Sequence, residues 1–417
     1  MEFTYDIITA KSDKKAAIGI YICHIIDNLI ELFLSTFLIA HIHAYSTDIF
    51  DYLIKVSIYE LVGWITMLLV YLIVSKIVDG SNRVGVYRFS MVLWAVFVIF
   101  TIFYGNEIAN LLWLAGIMLG IAKGFYWSSY NVLKQEMVGK SSMGKFATYT
   151  RVYQQLVSVL FPITLGAIID IASFSNAAIV VLVFCVIQIA VSFLIGSKHP
   201  TNARFDLKGY IKGLKQDTPL AKRLRFIYGI SAVFAANNVM STLIYVYIMI
   251  LYGSNFSLGI ITSLISVAVI IATLLVGKFT KEGRRGALYI TSAIIPILSA
   301  ILFVLMPIKS TLVIFNFAIS VCGVVFKLIF DIYRNKFLKE YGRYDDIAEH
   351  QCVLETILQF VRAVVSGILI LVALTKSLLA VQILIVVFTI IYSLNLILLM
   401  IFEKKFMTET PTIQKAD

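Results

Sequence analysis

LAGIMLGIAKGFYWSSYNVL (residues 114–133) and FAISVCGVVFKLIFDIY (residues 317–333) are long apolar stretches, each with one lysine, Lys123 or Lys327, in its interior. An ionised lysine at that depth in a bilayer costs about 2.5 to 3.5 kcal/mol, so it faces a bundle interior, a water-filled cavity or a partner charge. The two lysines occupy corresponding places in the two halves of the chain, in the fourth and tenth of twelve hydrophobic spans. That pairing points to a polar pathway at the interface of an internal repeat. The competing reading is that both snorkel to nearby headgroups.

Working outward, the composition is that of a membrane protein. Of 417 residues, 60% are hydrophobic and 14% charged, and the mean hydropathy is +0.92. A soluble domain carries nearer a quarter charged residues. Apolar runs long enough to span a bilayer follow one another at about residues 16–40, 52–78, 88–104, 108–133, 147–170, 176–196, 226–252, 256–278, 286–307, 311–333, 348–374 and 377–402. No strand-period alternation is sustained, which argues against a barrel. The expected fold is an all-α membrane protein of twelve helices.

The formal charge of +11 is a topology signal. Alternate connections are basic: Lys76, Arg83 and Arg88; Lys134, Lys140 and Lys145; the segment 197–225; Lys278, Lys281, Arg284 and Arg285; Arg334, Lys336, Lys339 and Arg343; Lys404 and Lys405. The intervening turns carry acids such as Asp48, Asp51 and Glu107. This positive-inside pattern places both termini in the cytoplasm and removes any need for a nucleic-acid partner. The expected location is the cytoplasmic membrane, crossed many times. The four cysteines (23, 185, 322 and 352) show no metal or disulfide spacing, no metal site or cofactor is expected, and no cleavable signal peptide is evident. Low proline with abundant isoleucine, lysine and asparagine fits an AT-rich bacterial genome.

The chain divides into 1–196, a basic linker at 197–225, 226–402 and a tail at 403–417. Within the linker, FDLKGYIKGLK can form a short amphipathic helix on the inner surface. The turn after the second span reads Ser75-Lys-Ile-Val-Asp79-Gly-Ser-Asn-Arg83-Val-Gly85-Val-Tyr-Arg88, and the turn after the eighth reads Gly277-Lys-Phe-Thr-Lys-Glu-Gly283-Arg284-Arg285. Both resemble the signature turn of the major facilitator superfamily, Gly-x-x-x-Asp-Arg-x-Gly-Arg-Arg/Lys. The first copy has Ser75 for the leading glycine and about three extra residues; the second has Lys281 where the aspartate belongs. The resemblance implies two six-helix bundles related by a pseudo-two-fold, rocking about a cavity lined chiefly by spans 1, 4, 7 and 10. It implies a cytoplasmic gate of Asp79 with Arg83 or Arg88, together with Gly85, Gly283, Arg284 and Arg285.

Other polar residues in the spans supply the candidate site. His24, Asp27 and Glu31 share one face of the first span, and Asp27 is placed to exchange a coupling proton because burial disfavours its charged form while a cation favours it. Glu31 and Glu355 are further proton-coupling candidates. Glu60 reads equally as a partner of Glu31 or as an acid at the outer interface. Arg151 and Gln155 in the fifth span align with Glu355 and Gln359 in the eleventh. Arg362 lies one turn deeper, and Asp331 is a possible local partner for Lys327. Lys123, Lys327, Arg151, Arg362, Gln155, Gln359, Asn237 and Asn238, with Tyr126, Trp127 and Tyr130, form the expected substrate surface. Pro162 belongs to a stretch faintly similar to an antiporter motif, without its leading glycines.

The expected function is secondary active transport of a small organic, anionic solute by alternating access, coupled to H+, by a monomer in the lipid bilayer. The alternatives are efflux of amphipathic drugs, movement of a glycolipid, an integral-membrane lipid-modifying enzyme, and a non-transporting receptor. No HExxH, nucleotide-binding loop or long catalytic loop supports an enzyme.

Overall fold

The computed structural model describes residues 11–79, 82–137, 143–196, 205–279, 285–340 and 346–407. The first span is α1 (Lys11–Leu32), a π-helical turn (Phe33–Phe37) and α2 (Leu38–His43). Spans two to six are α3 (Ile49–Asp79), α4 (Arg83–Tyr104), α5 (Leu112–Met137), α6 (Met143–Ile171) and α7 (Phe174–Ser192). The amphipathic helix expected in the linker is α8 (Leu207–Leu214). The seventh span consists of α9 (Pro219–Ala235) and α10 (Asn238–Tyr252). Spans eight to twelve are α11 (Asn255–Phe279), α12 (Gly286–Leu305), α13 (Lys309–Glu340), α14 (Ile347–Leu374) and α15 (Leu378–Phe402).

Lipid offers no hydrogen bonds, so a spanning backbone closes its own, and helices do so within one segment. Among the described residues, eleven helical segments are long and apolar enough to cross a membrane. The fourth span, α5, is not among them, because its second half reads Lys123-Gly-Phe-Tyr126-Trp127-Ser-Ser-Tyr130-Asn131. The least apolar span is the one that carries Lys123. The chain is a multi-pass integral membrane protein.

Packing follows the repeat. In the first half spans 2 and 4, 3 and 4, 3 and 6, 1 and 6, and 1 and 5 are in contact; in the second half their counterparts 8 and 10, 9 and 10, 9 and 12, 7 and 12, and 7 and 11 are too. Across the halves, the 2–11 contact is mirrored by 8–5, and the 4–11 contact by 10–5. Every one of these pairs has a partner six spans away, which is what a pseudo-two-fold axis requires. Two six-helix bundles therefore meet along spans 2, 5, 8 and 11.

Glycines set the tightest approaches. A Cβ on Gly120 would lie 2.5 Å from the Gly63 carbonyl oxygen and 2.6 Å from Thr66 Cβ. With Gly116 and Gly124 at intervals of four, Gly120 lays a smooth stripe of α5 on α3. Between the halves, Gly259 lies against the Pro162 carbonyl and Gly166 against that of Asn255.

The seventh span, expected at about 226–252, is longer and is made of two helices. Ala236 and Asn237 form a turn between α9 and α10, and α9 starts at Pro219, inside the stretch assigned to the linker. Thr218 accepts from the Ala221 amide and Pro219 fills the first helical turn, where a missing N–H costs nothing.

Candidate functional site

A cavity of about 320 Å³ lies between the halves, lined from spans 1, 2, 4, 7 and 11. Glu31 faces it from the first span, Glu60 and Trp64 from the second, and Lys123 and Trp127 from the fourth. Asn238, Thr242 and Tyr245 face it from the seventh, and Glu355 and Arg362 from the eleventh. Spans 2 and 11 thus contribute where the resemblance implied span 10.

Its charges are organised around one indole. Lys123 Nζ lies 2.7 Å from Glu31 Oε1, with side chains 6% and 27% exposed. Lys123 Nζ also stands 5.0 Å from the Trp64 ring centroid, and the Arg362 guanidinium 4.9 Å from the same ring. Two cations can share one ring's negative face potential only if carboxylates offset their repulsion. Glu31 does this for Lys123. On the eleventh span Gln359 relays the same service: its Nε2 donates to Glu355 Oε2 at 2.7 Å, and its Oε1 accepts from Arg362 Nη1 at 3.1 Å. These residues, at spacings of four and three, follow one helical face. Glu60 Oε1 accepts from Thr242 Oγ1 at 2.7 Å, joining the second span to the seventh. Glu60 Oε2 and Arg362 Nε are buried without a hydrogen-bond partner.

Lys327 does not reach this cavity. It lines two smaller ones, of about 220 and 190 Å³, that meet the first at Tyr245. The 220 Å³ cavity is walled by apolar side chains and by the uncharged polar groups Gln155, Ser158, Thr262, Ser266, Asn316 and Ser320, with Lys327 as its one charged lining residue among the described residues. The 190 Å³ cavity brings Lys327 together with Asn237, Asn238 and Arg362. Asn237, at the break in the seventh span, has both amide atoms buried without a partner. Lys327 Nζ stands 5.9 Å from the Phe234 ring, and Asp331 Oδ1 bonds Arg334 Nη2 at 3.2 Å.

Deeper in the first half is a second polar cluster. Gln154 Nε2 donates to Asn28 Oδ1 at 3.1 Å and lies 3.2 Å from His24 Nε2. An amide nitrogen only donates, so His24 Nε2 accepts and its Nδ1 carries the proton toward the Tyr126 hydroxyl, 2.7 Å away. The Tyr126 O–H is then free to point elsewhere, and Asp27 lies beside it with Trp94, Glu31 and Lys123 nearby. Asp27 is wholly buried, and neither of its carboxylate oxygens has a geometric hydrogen-bond partner.

Several expectations change. Tyr126 and Tyr130 line none of these three cavities; both stack on His24, at centroid distances of 6.2 and 4.2 Å, and only Trp127 of the aromatic trio faces the central cavity. Arg88, expected in the gate, has its Nε and Nη2 donating to the carbonyls of Ser192 and Ile195 at 3.4 and 2.8 Å, fastening the end of the sixth span. Arg83 Nε donates to the Val78 carbonyl at 3.1 Å, and Gly85 sits against the Asn82 side chain, where a Cβ would clash. Arg285 Nη1 donates to the Tyr333 hydroxyl at 2.7 Å and lies 3.8 Å from Glu403, which also accepts from Tyr289. The side chains of Asp79 and Arg151, and residues Gly283 and Arg284, lie outside the described residues.

Trp64 and Thr242 were missing from the sequence-derived set, and Glu60 was named there only as a partner for Glu31 or an acid at the outer interface, not as a binding residue. The signal for Glu60 and Trp64 was present: an acid and an indole four residues apart share a helical face, and in a membrane an acid on such a face marks a lined cavity.

Two six-span bundles enclosing a charged cavity, with one span broken beside it, define a membrane transporter. The chain belongs to the Major Facilitator Superfamily, whose sequence profile matches residues 19–342. Among curated proteins it is similar to the uncharacterized protein YqgE of Bacillus subtilis strain 168, 26% identical over 117 residues, which are 28% of this chain and 27% of that one. A second, the uncharacterized protein in the sodM 3' region of Geobacillus stearothermophilus, is 26% identical over 102 residues, 24% of this chain and 48% of that one. The chain thus spans about a quarter to a half of the length of these relatives.

Solved structures share the fold over nearly the whole chain. The human organic anion transporter MFSD10 (TETRAN) superposes with a TM-score of 0.65 at 14% identity, over 93% of this chain and 99% of that one. A POT family transporter in complex with 5-aminolevulinic acid gives 0.67 at 13%, over 93% and 96%. A bacterial homologue of the iron transporter ferroportin, outward-facing, gives 0.59 at 16%, over 95% and 100%.

Proposed function

We propose that the protein moves a small organic solute bearing an anionic group by proton-coupled alternating access. In this reading residues 1–196 and 226–402 rock as two bundles in the cytoplasmic membrane, with both termini cytoplasmic, and a monomer is the working unit. The observation that carries it is the Lys123–Glu31 pair on the wall of the central cavity, with Arg362 on the same indole. A substrate anion entering there competes with Glu31 for Lys123. A proton on Glu31 removes that competition, so proton and anion enter together and the buried charge stays balanced. Asp27, within electrostatic reach of both, provides the next proton acceptor toward the interior of the first bundle. Lys327, Asn237 and Gln155 extend the binding surface into the adjoining cavities.

Five ionisable side chains around about 320 Å³ favour a charged metabolite over an amphipathic drug or a glycolipid. The organic anion that names the MFSD10 neighbour and the amino acid bound by the POT neighbour are solutes of the kind such a wall suits. Protein reconstituted in liposomes with an internal pH dye tests the reading. Membrane-impermeant organic anions added outside, at acid external pH, should acidify the lumen faster than in protein-free vesicles, and Glu31→Gln should abolish that signal. Anion entry without proton movement would remove the coupling step, and the absence of any anion entry would remove the substrate class.

A further inference from the structure

We infer that the solute is a zwitterion, and that Glu60 holds its ammonium group. This rests on the reading of the central cavity as the site of an anion-bearing solute and specifies what else that solute carries.

The cavity wall holds three carboxylates and two cations. Glu31 is taken by Lys123 at 2.7 Å, and Glu355 is tied through Gln359 to Arg362. Glu60 is left over. It is 6% exposed, and its one hydrogen bond among the described residues is from a hydroxyl, that of Thr242, to Oε1. Oε2 is buried without a hydrogen-bond partner. An ionised carboxylate in that position has Lys123 and Arg362 within electrostatic reach but no ion pair of its own, and a protonated one would have an O–H with no acceptor; either state leaves Oε2 short of a direct partner. A ligand ammonium supplies a direct charge partner and the missing donor at once. On the same wall Arg362 has the complementary deficit, a buried Nε with no acceptor, which a ligand carboxylate fills. One unfilled acid and one unfilled base on a common cavity call for a ligand with both charges. Tyr59, Trp64 and Tyr245 line the cavity with Glu60, and aromatic faces favour an ammonium over a neutral amine.

The test uses the protein in lipid nanodiscs, with binding read by the fluorescence of Trp64 and Trp127 and by thermal stability. The probes are α- and ω-amino carboxylates of three to six carbons, each beside the same skeleton lacking the amine and the same skeleton lacking the carboxylate. At least one amino carboxylate should bind about tenfold tighter than both of its deletion analogues. In Glu60→Gln, whose amide oxygen can still accept from Thr242, that preference should vanish while binding of the amine-free carboxylate stays within about twofold, which also certifies the variant as folded. If amine-free carboxylates bind the native protein as tightly as amino carboxylates, the zwitterion assignment falls and the anion reading stands. If no carboxylate-bearing probe binds, both fall together.

Discussion

Replacing Glu31 with Gln isolates the interaction on which the coupling scheme depends. The two partners are unequally buried: Lys123 keeps 6% of its side chain exposed and Glu31 27%. Breaking a fully buried pair costs about 3 to 5 kcal/mol, because the survivor is left charged and dry. Glu31→Gln strands the deeper ammonium and should cost near the lower end of that range, about 3 kcal/mol, with the Trp64 face 5.0 Å away offsetting part of it. Lys123→Gln strands the more exposed carboxylate and should cost less, about 1 to 2 kcal/mol. The double change should recover most of either loss. Thermal unfolding in detergent measures all four proteins. The distinguishing observation is ligand-dependent: an organic anion that binds should raise the melting temperature of Glu31→Gln by more than that of the native protein, because Lys123 is then free to receive it. Equal shifts in the two proteins would refute the competition between Glu31 and substrate, and equal costs for the two single changes would refute the burial argument.

Two further outcomes follow from the packing and the charge pattern. Gly120→Ala should lower stability by about 1 to 3 kcal/mol, the range of an overpacked interior, since its Cβ meets the Gly63 carbonyl oxygen at 2.5 Å; an unchanged melting temperature would show that α3 and α5 separate freely. Single cysteines placed in the 41–51 turn should react with an impermeant maleimide on intact cells, and those in the 197–225 linker only after permeabilisation; the reverse would invert the membrane orientation and every sidedness inferred from it.

Hydropathy made the spans legible because each needs its own length of apolar sequence to cross lipid; eleven of the described segments meet that demand outright, and α5, which carries Lys123, falls short of it. The charges buried in the spans were legible too, since lipid makes each one expensive and therefore conspicuous. Which way they point was not. Adjacent residues on a helix are about 100° apart, so Tyr126 and Trp127 point differently; the sequence offers no means of choosing between them, and the hydroxyl of Tyr126 is held on His24 at 2.7 Å while Trp127 reaches the cavity wall. Arg88 was read as a gate residue from the resemblance of its turn to a signature motif, and the carbonyls it binds are 104 and 107 residues away. A gate motif read locally cannot see a helix end that folding delivers from elsewhere.

The break in the seventh span was the least legible feature, for Ala235-Ala-Asn-Asn238 contains neither proline nor glycine and continues a long apolar run. Its position ties the other observations together. Below the break α9 packs on spans 11 and 12, while above it α10 contacts spans 8, 10, 11 and 12 of its own half and spans 1 and 2 of the other, and carries Thr242, which holds Glu60 of the opposite half. Asn238 and Tyr245, also on α10, line both the central cavity and the chamber that contains Lys327. A helix jointed at Asn237 lets the upper piece follow the first bundle, or the ligand, without dragging the lower piece from its own. In the proposed transport cycle, a ligand held by Glu60 would act on α10 directly through the Glu60–Thr242 bond. The unpartnered Asn237 amide at the joint is where a movement of α10 would first be felt.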